Sequence, residues 1–400
     1  MEETQRKNSY VKYGRYIEDC AKNLGWHELL NTLIYDPLRI VETKNRIINL
    51  QYKNVNDIVK VVAKTLPTMS LGPNDLILSG ILDVPILKSE KSPIMKELKQ
   101  AKLWKSVDEP IEFLSMPNGV EQFVIKCIET KKNHNIKIPK KNASLFVRIK
   151  NLVDSMLRLW KNPEYQTPQP NINESTWGHN VLKPIVDFID YDLESELLIR
   201  WDAVTSQATL GRNGANGPIR KYDIFGVNKN ENYDLELILG EISYGPLDET
   251  YKHTTEDRIK IGKGAKDSLD SISRKYSKSP NYNSTNLKIF LLHSHGTELE
   301  FLIVDKKYSP MFRMRKLASI EIPFKKGSNL LELIKAAHTF RSLIEETLVN
   351  IRLFHKRTKN EDNDGEEESE SGDDDETNEE NEIGEILTFN TPILKKRKGK

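Results

Sequence analysis

Two apolar runs joined by a polar turn, with a long amphipathic segment soon after, constrain this chain most. The runs "YDIFGV" (residues 222–227) and "LELILGEIS" (235–243) are short and rich in β-branched and aromatic residues, so they read as paired strands. "NKNENY" is the turn between them. The segment 254–276 then places Ile261, Ala265, Leu269 and Ile272 at helical intervals, which predicts a helix. Any fold for this chain must hold two adjacent strands with a helix leaving the second.

That unit carries chemistry at its ends. Asp223 opens the first strand and Glu241 lies near the end of the second. Side chains on one face of neighbouring strands meet across the sheet, so the two carboxylates can converge. A carboxylate pair suits Mg²⁺, a hard cation that takes oxygen ligands and keeps several waters. The backbone oxygen of Ile242 offers a further ligand. Mg²⁺ at such a site would activate water and stabilise the charge that builds up as a phosphodiester is cut. The expected cofactor is therefore Mg²⁺. Lys260 or Lys263 on the following helix can reach a phosphate, whereas Lys266 and Asp267 are expected on a solvated face, paired along the helix.

Around this unit the chain divides by composition. Residues 1–160 read as mainly helical. Ser92 and Pro93 start one helix as N-cap and first residue. The stripe Val120, Phe123, Val124, Cys127, Ile128 marks a second helix. Leu145, Ile149, Leu152, Val153, Met156 and Trp160 mark a third. Residues 161–175 hold three prolines and many polar residues, and read as a linker. Residues 176–357 alternate helices and strands, the order expected of an α/β or α+β sheet flanked by helices. Within them 177–190 and 192–204 look helical, "GRNGANGPIRK" (211–221) looks like a loop, and 314–324 like a strand. Residues 330–357 look like a long helix. Residues 358–400 read as a disordered tail, with fifteen acidic residues and no basic one between 361 and 385.

Net charge sharpens the expectation of a partner. The whole chain carries +1; setting aside fifteen acidic charges of the tail and five basic charges of the last six residues leaves +11 for the body. A basic body is the footprint of an anionic partner. The cluster Lys395, Lys396, Arg397 and Lys398 suits nuclear import or a nucleic-acid patch. Two cysteines are too few for a disulfide framework, which points to an intracellular protein, and no apolar run approaches a membrane span. His293 and His295 alternate on an expected strand and point the same way, but no third zinc ligand is evident. There is no phosphate-cradling Gly-Lys-Ser/Thr loop and no Gly-x-Ser-x-Gly elbow.

The segments "NESTWGHNVLKPIVDFI", "SQATLGRN", "RKYDIFG", "LELILGEIS" and "TTEDRIKIGKGAKDSLD" occur in this order. Together they resemble fungal proteins related to the PD-(D/E)XK nuclease superfamily, over about residues 170–355. The resemblance implies a restriction-endonuclease-like core, a mixed sheet of about four strands between helices. It implies Asp223 and Glu241 as the motif acids, with Glu174 as a third metal ligand and Glu196 and Asp202 behind it. Two positions depart from the pattern. Ser243 stands where the motif lysine belongs, and Tyr222, not proline, precedes Asp223. Loss of one preorganised charge costs about a hundred- to a thousandfold in rate. Lys260, Lys263 or Lys221 would have to take the lysine's place. Arg212, Arg220 and Lys221 are the candidate nucleic-acid contacts. Three functions follow: a nucleic-acid binder with an impaired site, an active nuclease with a relocated lysine, or a protein-interaction module using residues 1–160.

Overall fold

The computed structural model describes residues 36–361, apart from 72–74, 130–135, 167–171, 214–218, 230–233, 246–250, 278, 280–281 and 324–328. Most of the acidic tail and the Lys395–Lys398 cluster lie outside the described residues.

Seven strands form one mixed sheet: β1 (Ile81–Asp83), β2 (Leu197–Thr205), β3 (Lys221–Lys229), β4 (Asp234–Ser243), β5 (Lys288–His295), β6 (Glu298–Tyr308) and β7 (Met311–Glu321). Their order is β1-β7-β6-β5-β4-β3-β2. β1 runs parallel to β7 and β4 parallel to β5, while the other neighbours are antiparallel. A parallel pair needs a crossover, and here it is the helix Tyr251–Tyr276 between β4 and β5. The expected strand–turn–strand–helix unit therefore sits mid-sheet.

The two faces of the sheet are covered differently. On one, Phe290 and Phe301 pack edge-on against Phe340 of the helix Leu330–Glu361. Trp177 donates from its indole nitrogen to Ser294 of β5 at 3.2 Å. On the other, Glu241 and His293 belong with the helix Tyr251–Tyr276. Alternation along a strand sends neighbouring side chains to opposite faces, so the same strands serve both layers.

Gly264 sets how closely that helix approaches. A Cβ there would lie 2.0 Å from the Tyr222 hydroxyl, so no larger residue fits while Tyr222 is buried beneath it. Lys260 lies 5.6 Å from the centre of the Tyr222 ring.

Apolar residues gather in two clusters. The larger joins the sheet to the helices Val120–Glu129 and Ala143–Lys161, across the proline-rich stretch 161–175. Cys127 is fully buried in it, as its stripe predicts. The smaller cluster joins residues 47–107 to Tyr308 and Met311. Ser92 caps the helix Pro93–Gln100 as expected, its hydroxyl accepting from Ile94 N.

Several expectations need correction. Residues 197–205 are strand β2, not helix, because the apolar run pairs with β3 along the sheet edge. Tertiary pairing overrides local preference in such runs. A bulge interrupts that pairing at Asp202 and Ala203, both at positive φ. Gln207–Asn213 is a helix, so Gly211 and Arg212 are not in a loop. The sheet has seven strands, not about four, and β1 comes from the region read as helical. Lys266 and Asp267 are buried, at 2% and 1% exposure. Their helix runs between the sheet and the preceding segment around Leu76–Ser79, so no solvated face exists at that point.

Candidate metal centre

Three local devices bring the acids together. Asn173 caps the helix Glu174–Trp177, accepting from Thr176 N at 2.8 Å, and fixes where Glu174 starts. Gly245, just beyond β4, approaches so closely that a Cβ would lie 2.0 Å from the Ile172 carbonyl oxygen. Asp223 accepts from the Ile242 backbone amide at 2.9 Å, where β3 and β4 stop pairing.

The result is a cluster of four carboxylates, Glu174, Asp223, Glu241 and Asp257. Burial lifts the Asp223 carboxyl above its usual value; the Ile242 amide and Lys260 oppose this, and Asp257 and Asp202 add to it. Burial also raises Glu174, helped by Asp223 and Asp257 and opposed by His253 and Lys260. Glu241 is pushed well above the usual range, first by burial, against Lys260 and with Asp223 and Asp257. All three acids are thus held in a place that disfavours further negative charge.

Lys260 joins the acids. Its ammonium lies 2.6 Å from Glu241 Oε1. A positive charge thus reaches Glu241 from the helix after β4, through a side chain that is 31% exposed. Ser243 has a different task. Its hydroxyl donates to Asp257 at 2.6 Å and lies 3.2 Å from His293 Nε2. Asp257 also pairs with His253 Nδ1 at 2.8 Å, and the His253 ring lies 4.4 Å from that of Tyr244.

The other candidates are placed elsewhere. Lys263 is 1% exposed, and its ammonium is pushed down to about 7 by burial and by Arg220 and Arg212, against Asp267 and Asp75. It stands with that group and not with the acids. Arg212 and Arg220 pair with buried Asp267 at 2.8 and 3.4 Å. Both arginines are turned inward onto that one carboxylate, which leaves Lys221, exposed at the start of β3, as the outward member of the three. Asp202 lies at the rim, 4.0 Å from His179. Glu196 pairs with Arg352 at 2.6 Å and does not join the cluster.

Asp257 and His253 went unassigned in the sequence. The signal was present in the helix: His253, Asp257 and Lys260 are spaced four and three residues apart, which puts them on one face. What could not be read was which face met the strand ends.

A second polar group adjoins the first. His293 and His295, on β5, meet Glu300 of β6, and the donor atoms of all three lie within 4.8 Å of one another. Register places His293 opposite Glu300. A third candidate ligand, missing from the sequence reading, thus comes from the neighbouring strand. Burial works to raise the Glu300 carboxyl, but His293, Arg258 and Lys316 together hold it far below the usual range. Burial holds the His293 imidazole below its ordinary value.

Among the described residues no helix is long and apolar enough to cross a membrane. Comparison with protein families, with characterised proteins and with solved structures finds no match.

Proposed function

We propose that this chain is a nucleic-acid-binding protein with a restriction-endonuclease-like metal site, whose catalytic lysine has moved to the helix after β4. One observation carries the reading: Lys260 meets Glu241 at 2.6 Å, within a cluster that also holds Asp223 and Glu174. The donor chemistry suits Mg²⁺, since the ligands are carboxylate oxygens. Their raised proton affinities support the fit, because crowded carboxylates gain from a cation that neutralises them. Glu174, Asp223 and Glu241 would hold the ion. Bound there, Mg²⁺ would lower the pKa of a water and offset charge on the phosphoryl oxygens. Lys260 would place positive charge beside the scissile phosphate, and Ser243 would orient Asp257 by its hydrogen bond.

A second reading is binding without cleavage. It is favoured by the same ion pair, because a lysine locked on Glu241 competes with a metal for that oxygen. Both readings put an anionic polymer on the basic body.

The test is cleavage of duplex DNA, single-stranded DNA and RNA with Mg²⁺ or Mn²⁺. Wild type is compared with Lys260→Ala and with Asp223→Ala/Glu241→Ala. Active wild type with both variants at least a hundredfold slower supports the nuclease. Salt-sensitive binding without cleavage supports the second reading. Absence of both refutes the proposal and turns attention to a protein partner for residues 1–160.

A further inference from the structure

The histidine group beside Ser243 carries an inference of its own. A hydroxyl has one proton to give. Ser243 gives it to Asp257 at 2.6 Å, so its contact with His293 Nε2 at 3.2 Å must be one in which Ser243 accepts. Nε2 therefore carries the ring proton. His293 is 1% exposed. The other ring nitrogen, Nδ1, faces Glu300 Oε2, 3.4 Å away. His295 Nε2 stands 3.9 Å from the same oxygen.

These separations suit an ion between the atoms. Nitrogen and oxygen ligands at about 2.0–2.1 Å from a tetrahedral Zn²⁺ lie about 3.3 Å apart. The His293–Glu300 separation matches that edge, and His295 closes the remainder by a small side-chain movement. Two imidazoles and a carboxylate favour first-row transition ions over Mg²⁺. The three residues also line a cavity of about 410 Å³ whose walls include Asp75, Glu90, Thr254 and Thr255.

Positive neighbours compete for Glu300 and are accounted for. Arg258 donates to Oε2 with one nitrogen and to Asp83 with Nε and Nη2 at 2.9 and 3.0 Å, so one guanidinium serves both carboxylates and Oε2 keeps a second lone pair for an ion. Lys316 reaches Oε1 at 3.2 Å and is 38% exposed, free to turn to water.

We propose that His293, His295 and Glu300 form a binding site for a divalent transition cation of the zinc class, with an open coordination position facing the cavity. The site is distinct from the Asp223–Glu241 cluster and does not depend on its function.

The experiment uses the full-length protein, stripped with chelator and titrated with Co²⁺ as a spectroscopic probe, then with Zn²⁺. Wild type is expected to bind one Co²⁺ with visible absorption bands of a nitrogen-ligated ion, and Zn²⁺ to displace it. The bands should persist in Asp223→Ala/Glu241→Ala. Affinity should fall at least tenfold in His295→Ala and in Glu300→Gln, with circular dichroism checking the fold. Lys316→Met removes a competitor without touching a ligand, and should tighten binding severalfold. It decides the matter if the ligand variants fail to fold. Absence of bands in wild type, bands unchanged in both ligand variants, or unchanged affinity in Lys316→Met would overturn the site. So would bands lost with the acid cluster.

Discussion

Replacing Lys260 by Met in a double-mutant cycle with Glu241→Gln tests the central contact. At 2.6 Å the attraction between the charges is about 6 kcal/mol at an effective dielectric of about 20, and about 1.6 kcal/mol in bulk water. Lys260 is 31% exposed, so solvent screens the pair and we expect a coupling of about 2–3 kcal/mol at pH 8.5. The pH dependence follows from Glu241, whose folded carboxyl is raised well above its ordinary value, chiefly by burial. Stability linked to that group is complete below its unfolded pKa and is lost as pH rises through the folded value. Lys260 limits that loss by stabilising the ionised form. Lys260→Met should therefore destabilise strongly at pH 8.5 and little at pH 5, where Glu241 is protonated and the coupling falls below about 1 kcal/mol. Urea unfolding of the four proteins at both pH values reads this directly. Equal destabilisation at both pH values, or additive single effects at pH 8.5, would refute the pairing.

Three other measurements probe the frame of the site. Asp190 is raised to about 7, first by burial and then by Asp187 and Glu194, so stability tied to it is lost as pH rises from about 4 through 7. Asp190→Asn should therefore stabilise by about 1–2 kcal/mol at pH 8, after discounting for partial exposure, and by almost nothing at pH 4; no difference between the two would refute the assignment. Gly264→Ala should cost about 1–3 kcal/mol, since its Cβ meets Tyr222. Gly211→Ala, with nothing within 4 Å, should gain up to about 1 kcal/mol from helix propensity. Denaturation midpoints in the reverse order would sink the packing argument. Asp267→Asn leaves Arg212 and Arg220 without their shared carboxylate and should cost about 3–5 kcal/mol in urea unfolding; a neutral result would mean that the arginines turn to solvent.

Local pattern was enough to place much of this chain. The strands β3 and β4, the helix after them and the capped helix at Ser92 follow from alternation, helical spacing and cap chemistry, all of which act between residues near in sequence. That β3 and β4 would pair, with Asp223 and Glu241 near the same end, was also legible, because a short turn between two strands leaves few registers. Edge strand β2 was not. Its apolar run satisfies a helical pattern equally well, and only the neighbouring β3 selects the extended form.

The site divides along the same line. By itself the sequence determined that serine stands two residues after Glu241 and that lysines lie on the next helix. Which of them serves the acids was settled by how that helix lies on the sheet. Gly264 lets it settle over Tyr222, which turns Lys260 to Glu241 and leaves Lys263 beside Asp267. The third member of the histidine group came from β6 through strand register, and Asp83 reached Arg258 from a strand 175 residues earlier. Sequence spacing encodes contacts along one element, whereas contacts between elements depend on packing distance and register, which exist only once the chain has folded.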